Sequence, residues 1–445
     1  MLQGTLNSVP RSRLGRILKK ILPALLQGVV LFWIGLTASA MAATNEGGAL
    51  PSLISEVIAR HPQVAVQSAA LRAANAGVEG AQWQFYPTPS ITMENAQVSA
   101  SDTSYRGDQQ VSTLGLRQSL WNGGRLSANL DKARANASLN SALLAESRLQ
   151  LALRVIQSYG DWIAAFEKQK VYATGLAVHQ QMKEMVVRRV QEGQSAPSDQ
   201  VLAEERLAML DAESMASTTQ KLTAMLKLSQ LAGRTLNEQE LSRQPATVRS
   251  LEAPLEQLLR QAENSSPAMA RYRAIAQSQR SAIDERKADK WPEVYARIER
   301  QFGNFSSPGL PPETRAFVGL TTHFGAGLSV QSSIAEAIGQ HDAALAEIEV
   351  QRLGLQELIM VDYTSLLQAE PRRRALQEGA AKSRQVLQSW DRQFLSGRKT
   401  WQDLMNSARE HMQLEAQIAD LDASRLIASW RLLALTDYEH LLTPP

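Results

Sequence analysis

Residues 111–125, VSTLGLRQSLWNGGR, open a stretch that runs to Ala232 and occurs twice. Sliding the chain by 204 places lays it on residues 315–329, RAFVGLTTHFGAGLS, with Gly115-Leu116 on Gly319-Leu320 and Gly123 on Gly327. Ala133 falls on Ala337, Leu149 on Leu353, Tyr159 on Tyr363, Gly175 on Gly379 and Arg188 on Arg392. Gly193 then meets Gly397, Asp199 meets Asp403, and Leu210, Ala212, Leu222 and Leu231 meet Leu414, Ala416, Leu426 and Leu435. Upstream, with one residue added to the offset, Pro62 and Pro87 fall on Pro267 and Pro292. One structural unit has been duplicated.

Each copy reads as short helix, two strands, long helix and return helix. Ser52 to Gln84 is Ala-rich and helical in period, with Pro62 near its start, and Pro87-Thr88-Pro89 breaks it. Strands are expected at about 90–98 and 111–121, and again at about 293–302 and 315–324. In them Leu114, Leu116 and Leu120 oppose Thr113, Arg117 and Ser119, while Val294, Ala296, Ile298 and Phe302 alternate with Tyr295, Arg297, Glu299 and Gln301. The hairpins also hold a surplus of aromatic rings. An apolar face, a polar face and interfacial rings suit a strand facing lipid, and they equally suit a soluble sheet packed on a core. Four strands close no spanning barrel, so strands that enter a membrane must be shared by several chains.

Little stops a helix across 125–191 or 329–395, and at 1.5 Å per residue each would reach roughly 100 Å. Ala145, Leu149, Ala152, Ile156, Tyr159, Ile163 and Phe166 keep alternating steps of four and three, the seam of a coiled coil, and polar residues fill the other faces. Pro371 stands where the first copy has Glu167 and is expected to kink or interrupt the second rod. Gly193 and Gly397 close the long helices at tip turns. Return helices follow at 197–232 and 401–435, with Pro197 and Trp401 at the first position. Asp199 and Asp403 sit three residues past the cap, where a carboxylate favours a helix N-terminus.

The first repeat is thus 43–232, the second 255–436, with a linker at 233–254 and a tail at 437–445. Residues 1–42 read as a secretory signal peptide: Arg11, Arg13, Arg16, Lys19 and Lys20 precede an apolar run that ends in small residues. Without that segment the formal net charge of +3 becomes −2, so the basic balance belongs to the leader and nothing points to nucleic acid. There is no cysteine, which excludes disulfides, thiolate metal sites and a lipid-modified N-terminal Cys. His61, His179, His323, His341, His411 and His440 are scattered. With no nucleophile motif or phosphate-binding loop either, no catalytic, cofactor or metal site is expected.

The duplicated order, the Gly-Leu strand leading to a Gly-containing turn, and the paired Gly-x5-Asp turns resemble the TolC family of outer-membrane channel-tunnels over essentially the whole mature chain. The resemblance implies a mainly α protein with membrane β. Four strands per chain would form a shared 12-stranded barrel in outer-membrane lipid and a 12-helix periplasmic tunnel in a homotrimer. It implies a periplasmic gate with Asp403 as a ring of carboxylates, Asn406 at a second ring that cannot ionise, Phe394 where the family has tyrosine, Lys399 where it has arginine, and Ser198 and Asp199 as their partners. Phe394 has no hydroxyl to donate and Lys399 lacks the bidentate fork, so a looser closed state is expected. It implies as partners a periplasmic membrane-fusion adaptor and an inner-membrane transporter of the ABC type. The absent lipidated cysteine leans the cargo toward type I protein secretion of a large adhesin or toxin. Small-molecule efflux is the alternative, and a periplasmic coiled-coil adaptor without a pore is a third reading.

Overall fold

The computed structural model describes residues 49–97, 105–242, 253–322 and 329–437. The expected signal peptide lies outside the described residues, as do 243–252 of the expected linker, the tail beyond Asp437, and the turn around Gly327. Two short helices begin the described chain, α1 (Ala49–Arg60) and α2 (Pro62–Trp83). The single helix expected over 52–84 is therefore two. Pro62 has no N–H to continue α1 and holds His61 extended, at φ −67° and ψ 130°, where its Nδ1 accepts from the Gln63 amide and caps α2. The second copy repeats the device: Ser266 caps at the junction of α6 (Leu255–Ser265) and α7 (Pro267–Ala288), with Pro267 at the first position.

Four strands, β1 (Thr88–Asn95), β2 (Gln110–Trp121), β3 (Glu293–Phe302) and β4 (Glu313–Thr321), form one antiparallel sheet in the order β1-β2-β3-β4. β1 and β4 begin two residues ahead of the expected positions, where Thr88 pairs with Arg117 and Glu313 with Gln301. The register places Ile91 opposite Leu114 and Leu116 opposite Ile298, and Ile298 opposite Ala316, so apolar residues from all four strands, though not Val111 and Phe317, which lie on the other side, share one face. That face is bare in the protomer: Ile91, Met93, Leu120, Val318 and Leu320 are each more than half exposed. Among the described residues both outer strands also leave a free edge. At the base of the sheet Trp121 meets Trp291 edge-on at 5.9 Å, and Gly123 turns the chain with φ 63° against the Trp291 side chain. A Cβ there would lie 2.7 Å from that of Trp291, so glycine is required for space as well as for conformation.

The rods are α3 (Arg125–Gln191) with its return α4 (Pro197–Ala232), and α8 (Val330–Leu395) with its return α9 (Trp401–Thr436). At 67 residues α3 is about 100 Å long. Part-way along, a core gathers Leu50, Ile54 and Val57 of α1 around Leu151, Ile156, Tyr159 and Trp162 of α3, with Leu228 of α4, Ile359 of α8 and Trp430 of α9. Residues 233–242, expected as linker, fold onto it. They carry a short helix, α5 (Glu238–Ser242), and bury Leu236 and Leu241, whose carbonyl accepts from the Tyr159 hydroxyl.

Contrary to the expected interruption, α8 runs through Pro371 without a break. The proline deprives the Leu367 carbonyl of its donor on a face exposed in the protomer, where water can replace it. Arg425 to Glu370 and Arg373 to Asp422, each at 2.6 Å, bind α8 to α9 on both sides of that position. No described helix is long and apolar enough to cross a membrane.

Candidate functional site

The predicted site residues collect at the ends of the two helical hairpins, where repeat symmetry and its breakdown can both be read. The long helices finish identically. Gly193 and Gly397 each take φ 73°, and the Gln194 and Arg398 amides reach back to the Arg189 and Gln393 carbonyls at 2.8 and 2.9 Å. The glycine amides meanwhile donate to the Val190 and Phe394 carbonyls, which completes a double closure of each helix C-terminus.

The return helices start differently. α4 has Ala196 at the cap with no side-chain bond, and Pro197, which has no N–H, leaves one fewer amide in need of an acceptor. α9 has Thr400, whose Oγ1 accepts from the Asp403 amide at 3.2 Å, while Asp403 Oδ2 accepts from the Thr400 amide and hydroxyl at 3.3 and 2.9 Å. The Thr400 hydroxyl, then its amide, and then the Lys399 ammonium hold the Asp403 carboxyl below the usual aspartate range. Asp403 thus remains an anion well into acid while part of it faces solvent. Asp199 occupies the equivalent position on a helix without that box.

Of the other expected residues, Ser198 and Asn406 are exposed and Asp199 is half-buried. Lys399 sets its ammonium 4.1 Å from the Trp390 ring centroid and 3.8 Å from Asp403 Oδ2. Phe394 is buried inside the protomer, in a cluster drawn from all four rods: Val186 of α3, Ala203 of α4, and Trp401, Leu404 and Met405 of α9. Among the described residues no hydrogen bond or ion pair joins Phe394 or Lys399 to Ser198 or Asp199 within a protomer. The residue that does reach Phe394 was not singled out in the sequence. Arg189, in the last turn of α3, places its guanidinium 4.6 Å from the Phe394 ring centroid and directs Nη1 at the Phe394 carbonyl, 3.5 Å away.

Above this cluster α3, α8 and α9 line an open pocket of about 240 Å³, bordered by Lys170, His179, Arg384, His411, Met412 and Glu415, among others. Two histidines that look unrelated in sequence therefore face one space. His179 is buried with Nδ1 2.9 Å from the Gly175 carbonyl, and burial holds its pKa below the usual histidine value, so it is neutral. Among the described residues no three His, Asp or Glu side chains gather as metal ligands.

A bare apolar sheet face, free sheet edges, rods about 100 Å long and a charged tip agree with what the comparisons return. Residues 53–234 match the family described as outer membrane efflux protein. In structure the chain is similar to the outer-membrane channel OprN, with a TM-score of 0.76, 19% identity, and 86% of this chain and 89% of that one covered. It is similar to the outer membrane protein VceC from Vibrio cholerae at TM-score 0.76, with 15% identity and coverage of 87% and 95%. The open state of the Neisseria gonorrhoeae MtrE outer membrane channel gives 0.71, with 14% identity and coverage of 88% and 93%. No curated protein matches the chain.

Proposed function

We propose that this chain is an outer-membrane channel-tunnel protein of the TolC kind, in keeping with the outer membrane efflux protein match over residues 53–234, and the passive exit duct of a tripartite export machine. Three copies close a 12-stranded barrel in outer-membrane lipid and a 12-helix tunnel below it. A periplasmic adaptor couples the tunnel to an inner-membrane transporter that supplies the energy. The observation that carries the reading is the four-stranded sheet with one apolar face exposed and both edges unpaired among the described residues. In hydrocarbon each unpaired backbone group costs several kcal/mol, so such a sheet is stable only when identical copies complete it. Chain symmetry supports the same arrangement, since six like hairpins from three duplicated chains make a near-regular ring.

At the far end of the rods Asp403 forms the carboxylate ring of the entrance, with Asn406 beside it and Lys399, Ser198 and Asp199 around it. Phe394 acts from within the wall, in keeping with its burial. The cargo is small solutes, as the efflux family match over residues 53–234 favours. Secretion of a large polypeptide is the second reading, and the absence of a cysteine for lipid attachment favours it. Deleting the gene and comparing drug and solute susceptibility with the secreted proteome separates them. Increased susceptibility with an unchanged secretome supports efflux. Loss of one large secreted polypeptide with unchanged susceptibility replaces efflux with secretion.

A further inference from the structure

We infer that the polar face of the sheet carries a recognition belt for ring-bearing carboxylates, built from Arg117 and Arg297 with their guanidiniums stacked on Tyr295 and Phe317. The inference rests on the apolar face being the lipid face, as proposed above, and it names a class of solute that the duct passes.

Strand alternation sends Arg117, Tyr295, Arg297, Glu299, Arg315 and Phe317 to the face opposite Leu116, Ile298 and Ala316. In a barrel whose outside is apolar, that face lines the water-filled interior. On it β2 and β3 set Arg117 directly opposite Arg297. Like charges so placed destabilise a sheet, and the neighbouring side chains hold them there. The Arg117 guanidinium lies 4.0 Å from the Tyr295 ring centroid, and that of Arg297 lies 4.8 Å from the ring of Phe317, its partner on β4. Glu293 stands 3.5 Å from Arg117 and Glu299 3.0 Å from Arg297.

Ion pairing does not hide the arginines. Their side chains are 48% and 41% exposed, against 22% and 26% for the two carboxylates, so an approaching solute meets guanidinium first. Each guanidinium carries five N–H donors in a fixed fork, more than one carboxylate contact engages. With one face of each plane on a protein ring, the other face is left for a ring of the solute, while the edge N–H groups donate to its carboxylate. The Asp403 carboxylates do not cancel this attraction. They stand at the far end of rods about 100 Å long, many times the distance of about 8 Å over which salt screens charge. Glu293 also meets Arg125 at 3.2 Å, and Glu299 lies opposite Arg315, so neither carboxylate is stranded if the belt is removed.

Sided block in planar bilayers tests the belt. The polar rods cannot enter hydrocarbon, so protein added to one chamber opens its barrel mouth to the other, where sodium benzoate is titrated. Benzoate should block the current, and benzyl alcohol, which has the ring without the charge, should not. Arg117→Gln with Arg297→Gln should raise the half-blocking concentration about tenfold, as the loss of one hydrogen bond between charged groups does. The milder pair Arg117→Lys with Arg297→Lys keeps the charge but neither the fork nor the stacking plane, and should raise it about threefold. That pair carries the test if the Gln pair gives no channels. Arg300→Gln removes an arginine of the apolar face, opposite Leu114, and should leave the block unchanged. No block in the native protein, equal block by benzyl alcohol, equal half-blocking concentrations in the native protein and the variant pairs, or relief by Arg300→Gln as large as by the Gln pair would overturn the belt. Native protein that conducts no current would instead remove the duct reading on which the belt rests.

Discussion

Gly160→Ala tests how closely the two long-helix systems are packed. In a solvent-facing helix interior the change gains about 1 kcal/mol, because glycine gives up more backbone freedom than alanine. At this position the new methyl would stand 2.2 Å from Ile427 Cγ1 and 2.4 Å from its Cδ1. A helix holds the β-branched Ile427 to one strongly preferred χ1 rotamer, so the clash is relieved only by a costly rotamer change or by separating α3 from α9. Overpacking of this kind costs about 1–3 kcal/mol, and the net effect is a loss of up to about 2 kcal/mol. In an Ile427→Ala background the obstacle is gone and the same substitution should gain its full 1 kcal/mol or so. The change of sign between backgrounds is the signature, with a coupling energy of about 1–3 kcal/mol. Thermal unfolding followed by far-UV circular dichroism, at fixed protein and detergent concentration, reads it as a shift of roughly 1–2 °C per kcal/mol in a chain of this length. Gly77→Ala, on α2 where a Cβ meets nothing within 4 Å, should raise the midpoint in either background. If Gly160→Ala raised the midpoint as much in the native background as with Ile427→Ala, the close approach of the rods would be refuted.

Three other outcomes are expected. Asp403→Ala should remove the titratable part of cation selectivity in planar bilayers, and Thr400→Val should move the pH at which selectivity is lost upward, toward the ordinary carboxylate range. The sign follows from the depressed folded pKa: the cap contribution is complete above the unfolded value and disappears as pH falls through the folded one. An unmoved midpoint contradicts it. Pro371→Ala should restore a donor to the Leu367 carbonyl and raise the thermal midpoint, since proline inside a helix costs about 3 kcal/mol relative to alanine; a lowered midpoint would show that the proline is needed where it is. Trp162→Ala, in the fully buried core where the indole stacks on Phe166 at 5.1 Å, should cost about 3–5 kcal/mol in the same unfolding assay, and a loss below about 1 kcal/mol is inconsistent with that burial.

The rods were legible because their signals are local and strong. A seam of alternating threes and fours continued from Ala145 to Phe166, and Gly193 and Pro197 marked where one helix stops and the next starts. The sheet was legible through its period of two, although its edges moved with the pairing of Thr88 and Glu313, which no single strand reveals. Pro62 was visible, but its effect was underestimated, because His61 turned out to be both the end of one helix and the cap of the next. Pro371 had the opposite fate, since ion pairs from α9 hold the helix together across it, and those partners lie about fifty positions away. Asp403 was legible as a cap by its spacing from Thr400. Arg189, the cluster around Phe394, and the facing of His179 and His411 were not, because each depends on contact between the two copies of the repeat rather than on a pattern within one.

The central claim is that one protomer supplies a third of a cylinder. Native mass spectrometry of the processed chain, extracted from outer membranes in mild detergent, measures this directly. The account predicts particles of three identical copies that withstand dilution. A chain recovered as single copies from the soluble periplasmic fraction would contradict it.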